Sequence, residues 1–283
     1  MRSGGWEGLA ARVRGLSTHL VTAARMRELS RIGDLGMLVR ALEELHVVEG
    51  VGAAPLAIET GLRRVAAQRL ATMWRWADTR QPQLAPLMEE EDRRSVRALV
   101  RGAAAGASPA SRLAGLLPTP GLPTAALEEL ANQATPAEVG ALLRAWGHPF
   151  GDAITPAAAN DLFATECALQ RAWAARAAGA LRLGPGTMHE FVGLLIDLGN
   201  ASTALTLAGH HSDVEAAELY TPGGAHLDAG SFAKAAAART RADAGEVLAA
   251  AMEPPALAVA VSDASLGHVP LEDGALRALA GWS

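Results

Sequence analysis

Leu35, Leu38, Val39, Leu42 and Leu45 are spaced three and four apart, and Val139, Leu142, Leu143 and Trp146 repeat that spacing about a hundred positions later. Apolar side chains at such intervals share one stripe of an α-helix, so both stretches are predicted as amphipathic helices with one buried face. Start signals agree with this. Thr135-Pro136-Ala137-Glu138 has the residues of a capping box, with proline where its missing N–H costs nothing. Ser108-Pro109 and Thr155-Pro156 carry part of the same signal. Breakers separate the remaining blocks. Gln81-Pro82 through Pro86 reads as a polar link and Pro118 to Pro123 as a tight loop. Gly184-Pro185-Gly186 should end a long Ala-rich helix running from Leu162 to Leu183. Thr221-Pro222-Gly223-Gly224 and Glu253-Pro254-Pro255 interrupt the last third, and Ala256 to Val261 reads as a short strand or as a turn of helix.

The pattern returns at a near-constant offset. Glu59, Leu62 and Arg64 recur 107 positions on as Glu166, Leu169 and Arg171, and Leu38-Val39-Arg40-Ala41 recurs at 104 as Leu142-Leu143-Arg144-Ala145. Asp92 recurs at 105 as Asp197, and the Pro120-Gly121 loop returns as Pro222-Gly223-Gly224. A third pair with the same step, Glu272 and Arg277, lies 106 beyond the second. So long a period predicts an all-α chain of three similar helical modules, bounded at residues 1–84, 85–183 and 184–283.

Composition supports helices and narrows the chemistry. Half the 283 residues are apolar but only 4% are aromatic, while alanine fills 63 positions and isoleucine four. Alanine is the best helix former and lets helices approach closely. Twenty-four arginines stand against a single lysine, Lys234, as expected of a GC-rich coding sequence. A net charge of -5 gives no general pull toward nucleic acid. One cysteine, Cys167, forms no internal disulfide, which fits a reducing compartment. No uncharged apolar run reaches 18 residues, and Glu7, Arg12 and Arg14 interrupt the first segment, so neither a membrane-spanning helix nor a secretory leader is expected. These features place the protein in the cytoplasm.

Candidate chemistry is sparse. A phosphate loop needs a lysine just after its glycines, but Lys234 follows Ser231-Phe232-Ala233. His211 and Glu215 have the spacing of two zinc ligands on a helix, and His210 and Asp213 lie nearby. Adjacent histidines point apart, however, so a solvated helix end is the simpler reading. His189-Glu190 lacks the second histidine of a zincin helix. Glu89-Glu90-Glu91-Asp92 reads as the solvated, acidic start of a helix. No nucleophile elbow occurs, and Cys167 reads as a small apolar filler. Trp74 and Trp76, two apart, should divide between core and rim. No catalytic residue, cofactor or metal is therefore expected.

Leu9-Ala10-Ala11-Arg12-Val13-Arg14-Gly15-Leu16, His19-Leu20 and Ile32-Gly33-Asp34-Leu35 through Leu42 together resemble the start of the C/d family of central-stalk proteins in V-type rotary ATPases. The likeness continues through Glu91-Asp92, Leu99-Val100-Arg101, Leu117-Pro118, Pro120-Gly121-Leu122 and Thr135 to Trp146. It goes on through Ile196-Asp197-Leu198-Gly199-Asn200, Thr221-Pro222-Gly223-Gly224, Leu227 and Phe232, covering about residues 9–250. That family is rich in tyrosine at module ends. Here Tyr220 is the single tyrosine, and Trp146, Phe150 and Trp173 are expected as the bulky core residues instead.

The resemblance implies a funnel of three modules around a pseudo-threefold axis. It further implies a non-catalytic adaptor between the membrane proteolipid ring and the central shaft, peripheral on the inner face of the cell membrane and without nucleic acid. Arg12, Arg14, Arg63, Arg64, Arg171 and Arg176 are the candidate interface residues, since arginine holds carboxylates in bidentate contacts that survive partial burial. Two other readings stand beside this one: a helical-repeat protein-binding scaffold unrelated to ATPases, and a metal-dependent enzyme using His210, His211 and Glu215.

Overall fold

A computed structural model describes residues 6–155, 161–182, 184–210, 216–252, 255–267 and 271. Among these residues every regular element is helical and none is a strand. The chain forms two compact units, residues 1–162 and 163–283.

The first unit contains α1 (Trp6–Ser17), α2 (Ala23–Leu29), α3 (Leu35–Glu44), α4 (Pro55–Ala77), a 3₁₀ turn over Asp78–Arg80, α5 (Gln81–Ala104), α6 (Pro109–Leu113), α7 (Thr124–Ala131) and α8 (Pro136–Ala145). Side chains fix several starts by accepting an otherwise free amide: Thr22 from Arg25, Asp34 from Met37, and Ser108 from Ser111. Both halves of the capping box at Thr135 and Glu138 are present. α5 packs against α6, α7 and α8. It brings Val96 and Leu99, both without exposed surface, into a core built also from Leu130, Val139, Leu143 and Phe150. A smaller cluster of Leu29, Val39, Leu42, Val47, Val48 and Ile58 joins α2 and α3 to the start of α4.

The second unit contains α9 (Leu162–Ala180), α10 (Gly186–Leu207), α11 (Ala216–Leu219), α12 (Ala229–Ala236), α13 (Arg241–Ala251) and α14 (Pro255–Ser265). Its core sets Leu194, Leu205, Phe232, Leu248, Leu257 and Val261 among buried alanines 201, 204, 235, 244 and 264. Those alanines let α10, α12, α13 and α14 pack closely without large side chains between them.

The helix order recurs between the units. α5, α7 and α8 begin at 81, 124 and 136, and α10, α12 and α13 each begin 105 residues later, with α6 and α11 lying between the first two of each set. Thr240 caps α13 through the amide of Asp243, as Thr135 caps α8. α2 and α3 start 101 residues before α7 and α8.

Several sequence expectations change. Gln81 to Pro86 is no link but the first turns of α5. Pro82 sits where no helical N–H is needed, and the buried face beyond Pro86 holds the helix together despite the hydrogen bond that proline cannot make. Glu89 to Asp92 lie in the third turn of that helix, and Glu90 and Asp92 are buried by its neighbours, so the run is not a solvated helix start. Ala256 to Val261 are helical within α14. Phe150 and Trp173 are fully buried, whereas Trp146 caps the end of α8 and is 40% exposed. Trp74 and Trp76 are both half-buried, the second lying under the Arg12 guanidinium. Pro156, Glu253, Pro254, Glu272 and Arg277 lie outside the described residues.

Candidate functional site

Each unit has a loop latched onto a long helix by a buried carboxylate. In the first unit Asp92, on α5, accepts the hydroxyl hydrogen of Thr119. The Thr119 oxygen accepts in turn from the amides of Gly121 and Leu122, at 3.1 and 2.9 Å. The other Asp92 oxygen lies 3.8 Å from Nε2 of the buried His148, whose Nδ1 accepts from the Phe150 amide. In the second unit Asp197, on α10, accepts three backbone amides, those of Ala225, His226 and Leu227, at 2.8–3.1 Å. Asn200, one turn further, both donates to and accepts from the backbone of Thr221. Tyr220 donates to the Leu227 carbonyl and leans against Phe232.

Glycine is required where each loop crosses its carboxylate. A Cβ at Gly121 would strike Asp92, and one at Gly224 would strike Asp197. Burial pushes the Asp197 carboxyl above its ordinary value, against the downward pull of its three amide donors. Burial likewise raises Glu91, opposed by Arg94 and reinforced by Glu90 and Asp92. Glu90 takes both arms of Arg93, at 2.7 and 2.8 Å, and Nε of Arg94 at 3.1 Å, all within α5. Asp92, Asp197 and Glu90 hold local structure together through these contacts.

Arginines secure the helix ends. Buried Arg112 donates to the carbonyls of Ala107, Ala131 and Gln133, joining the chain after α5 to the end of α7. Arg144 reaches the carbonyls of Gly151 and Ile154. Arg241 reaches those of Leu205 and Ala264, at the ends of α10 and α14. A fork of donors on a planar group fits this task, and a lysine ammonium does not. Part of the arginine excess is thus structural, which codon composition alone does not explain.

The six interface candidates divide by environment. Arg12 is exposed and stacks on Trp76, 5.8 Å from the ring centre, while Arg80 stacks reciprocally on Trp6. Arg14, Arg64 and Arg176 are exposed. Arg63 is half-buried, paired with Glu59 and lying over Gly115. Arg171 is half-buried and donates to the Glu218 carbonyl, tying α9 to α11. Arg64 and Arg171 occupy the same position, the tenth, of α4 and α9, yet one faces solvent and the other braces α11. Arg63 and Arg64 adjoin on α4, and Arg12 is brought to the same helix through Trp76.

Among the described residues no group of three metal-binding side chains converges. His210 is exposed at the end of α10, with Nδ1 beside the Ala208 carbonyl, while His211, Asp213 and Glu215 lie outside the described residues. Lys234 is exposed in the last turn of α12. No described helix is long and apolar enough to cross a membrane. Thr119 and Arg112 carry no signal of their own in the sequence. The matching positions of Asp92 and Asp197, each preceding a Pro-Gly loop, are the signal from which the latches could be found.

No curated protein matches the chain. The model of the ATP synthase (C/AC39) subunit family matches residues 9–274, nearly the whole sequence, so the chain belongs to that family and is a component of a V-type rotary ATPase.

Proposed function

We propose that this chain is the rotor adaptor of its ATPase, linking the membrane proteolipid ring to the central shaft, with no catalytic site, cofactor or metal of its own. Its three helical modules, at residues 1–84, 85–183 and 184–283, form a pseudo-threefold funnel whose rims and lumen hold its partners. It works on the cytoplasmic face, peripheral to the membrane. The observation that carries the reading is the recurrence of one device, a buried aspartate on a long helix holding down a Pro-Gly loop, 105 residues apart within a recurring helix order. Repeated rigid bodies of this kind suit a part that transmits torque.

Arg12, Arg14, Arg64 and Arg176 are its contacts to acidic surfaces of the shaft or ring, while Arg63 and Arg171 shape the surfaces beside them. A partly desolvated charge pair lost from such an interface costs on the order of 1–3 kcal/mol. The test is co-purification of the chain with the shaft and ring proteins, using native protein and an Arg14→Glu/Arg64→Glu variant checked for helicity. The variant should bind about tenfold or more weakly. Unchanged binding by a folded variant moves the interface elsewhere. Native protein that binds neither partner overturns the adaptor role.

A further inference from the structure

One pair of helices recurs three times, and one copy lacks the cover that the other two have. α2 and α3 begin 101 residues before α7 and α8, which begin 105 residues before α12 and α13. In each pair the second helix is capped by a side chain, of Asp34, Thr135 or Thr240, that accepts the amide three residues on. These offsets match Met26 with Leu127 and Phe232, Leu38 with Val139 and Ala244, and Val21 with Leu122 and Leu227. A long helix lies on each of the later pairs: α5 packs on α7 and α8, and α10 on α12 and α13. Phe232 shares its core with Leu194, Leu198 and Ala201 of α10. Each of the six counterparts is at most 2% exposed.

In the first pair the same positions are open. Met26 is 58% exposed, and Leu38 and Val21 are only half-buried. The helix that precedes this pair, α1, has 12 residues against 24 in α5, and it packs on α4. The inner side of the pair is complete, with Leu29, Val39 and Leu42 buried among Val47, Val48 and Ile58. Met37 gives the contrast. It is 56% exposed, but its counterparts Glu138 and Asp243 are exposed as well. Exposure at Met37 is therefore common to all three pairs, whereas exposure at Met26 marks a missing neighbour. Charge does not select that neighbour: Arg25, Arg27, Arg31 and Arg40 balance Glu28, Asp34, Glu43 and Glu44. Apolar fit does.

We propose that the bare face of α2 and α3, centred on Met26, is completed in the assembled ATPase by a long amphipathic helix of another subunit, lying as α5 lies on α7 and α8. The two covered pairs define its chemistry. In α5 the buried stripe is Val96, Leu99, Val100 and Ala103, so the partner helix presents small and aliphatic side chains three and four residues apart. This goes beyond the adaptor reading and does not depend on it, because any neighbouring subunit can supply the helix.

The test is mild peroxide oxidation of methionine, read by mass spectrometry, in the isolated chain and in the assembled ATPase. Met26 and Met37 should oxidise at similar rates in the isolated chain. In the ATPase Met26 should slow about tenfold or more while Met37 changes little. Met26→Glu should weaken retention in the ATPase about tenfold or more, because a carboxylate would be buried against an apolar stripe, and Met37→Glu should leave it unchanged. Both side chains are exposed, so both variants should keep native helicity. A photoreactive benzophenone side chain in place of Met26 should cross-link, in the purified ATPase, to residues of another subunit spaced three and four apart. Oxidation of Met26 as fast in the ATPase as in the isolated chain overturns the proposal, as does equal protection of the two methionines. Met26 that is already slow in the isolated chain, or cross-links confined to this chain or to a second copy of it, overturns it in favour of a cover supplied by the chain itself.

Discussion

Thr119 donates its hydroxyl hydrogen to the buried carboxylate of Asp92, while its oxygen receives the amides of Gly121 and Leu122. One hydroxyl thus joins the middle of α5 to the loop that leads into α7. The Asp92 carboxylate and the Leu122 amide would otherwise be buried without this partner, where each unsatisfied group costs about 1–3 kcal/mol.

Thr119→Val keeps the shape and removes the hydroxyl. It should lower the unfolding free energy by about 3 kcal/mol, and Thr119→Ser by about 1 kcal/mol or less. Urea denaturation of the two variants against the native chain measures this. Equal losses would mean that the methyl group, and not the hydroxyl, matters.

Asp197→Ala leaves three amides without their acceptor and should cost about 3 kcal/mol or more, while Asp197→Asn, which retains one oxygen, should cost less. The pH dependence has a definite sign. Burial raises the folded carboxyl above its ordinary value of 3.8, so its contribution is fully present below that pH and declines as pH rises through the folded value. The stability gap between native protein and Asp197→Asn should therefore narrow as pH rises through that window. A gap that widens would contradict the assignment.

Gly121→Ala and Gly224→Ala each push a methyl group into a buried carboxylate and should destabilise by about 1–3 kcal/mol. Gly8→Ala and Gly15→Ala lie in α1 with no atom within 4 Å of the added carbon. These should stabilise by about 0.5–1 kcal/mol, through better helix propensity. Thermal melts of the four variants should separate them into two groups of opposite sign.

Arg112→Lys should cost about 3 kcal/mol despite keeping the charge, because one ammonium cannot span the carbonyls of Ala107, Ala131 and Gln133. Amide exchange near the end of α7 should quicken in parallel. A variant as stable as the native chain would show that the three contacts are dispensable.

The sequence by itself determined the helices, many of their starts, and the recurrence. Thr135-Pro136-Ala137-Glu138 specifies its own helix start through bonds three residues long, and the stripe from Leu35 to Leu42 follows from 3.6-residue periodicity alone. Such interactions lie within one turn of the chain and can be read without knowing what packs against it. The family was legible too, because the order of short segments survives as a linear pattern. Only tertiary structure decided which polar residues are buried. Four carboxylates in a row look solvated until α5 packs on α7 and α8, which buries Glu90 and Asp92 and leaves Asp92 to find Thr119, 27 residues away. It also decided that Pro86 stays helical, that Trp146 faces solvent while Trp173 does not, and that Arg171 braces Glu218, 47 residues on, while Arg64 remains free to meet solvent. Burial and long-range hydrogen bonding depend on which faces meet, and local periodicity carries no information about that partner.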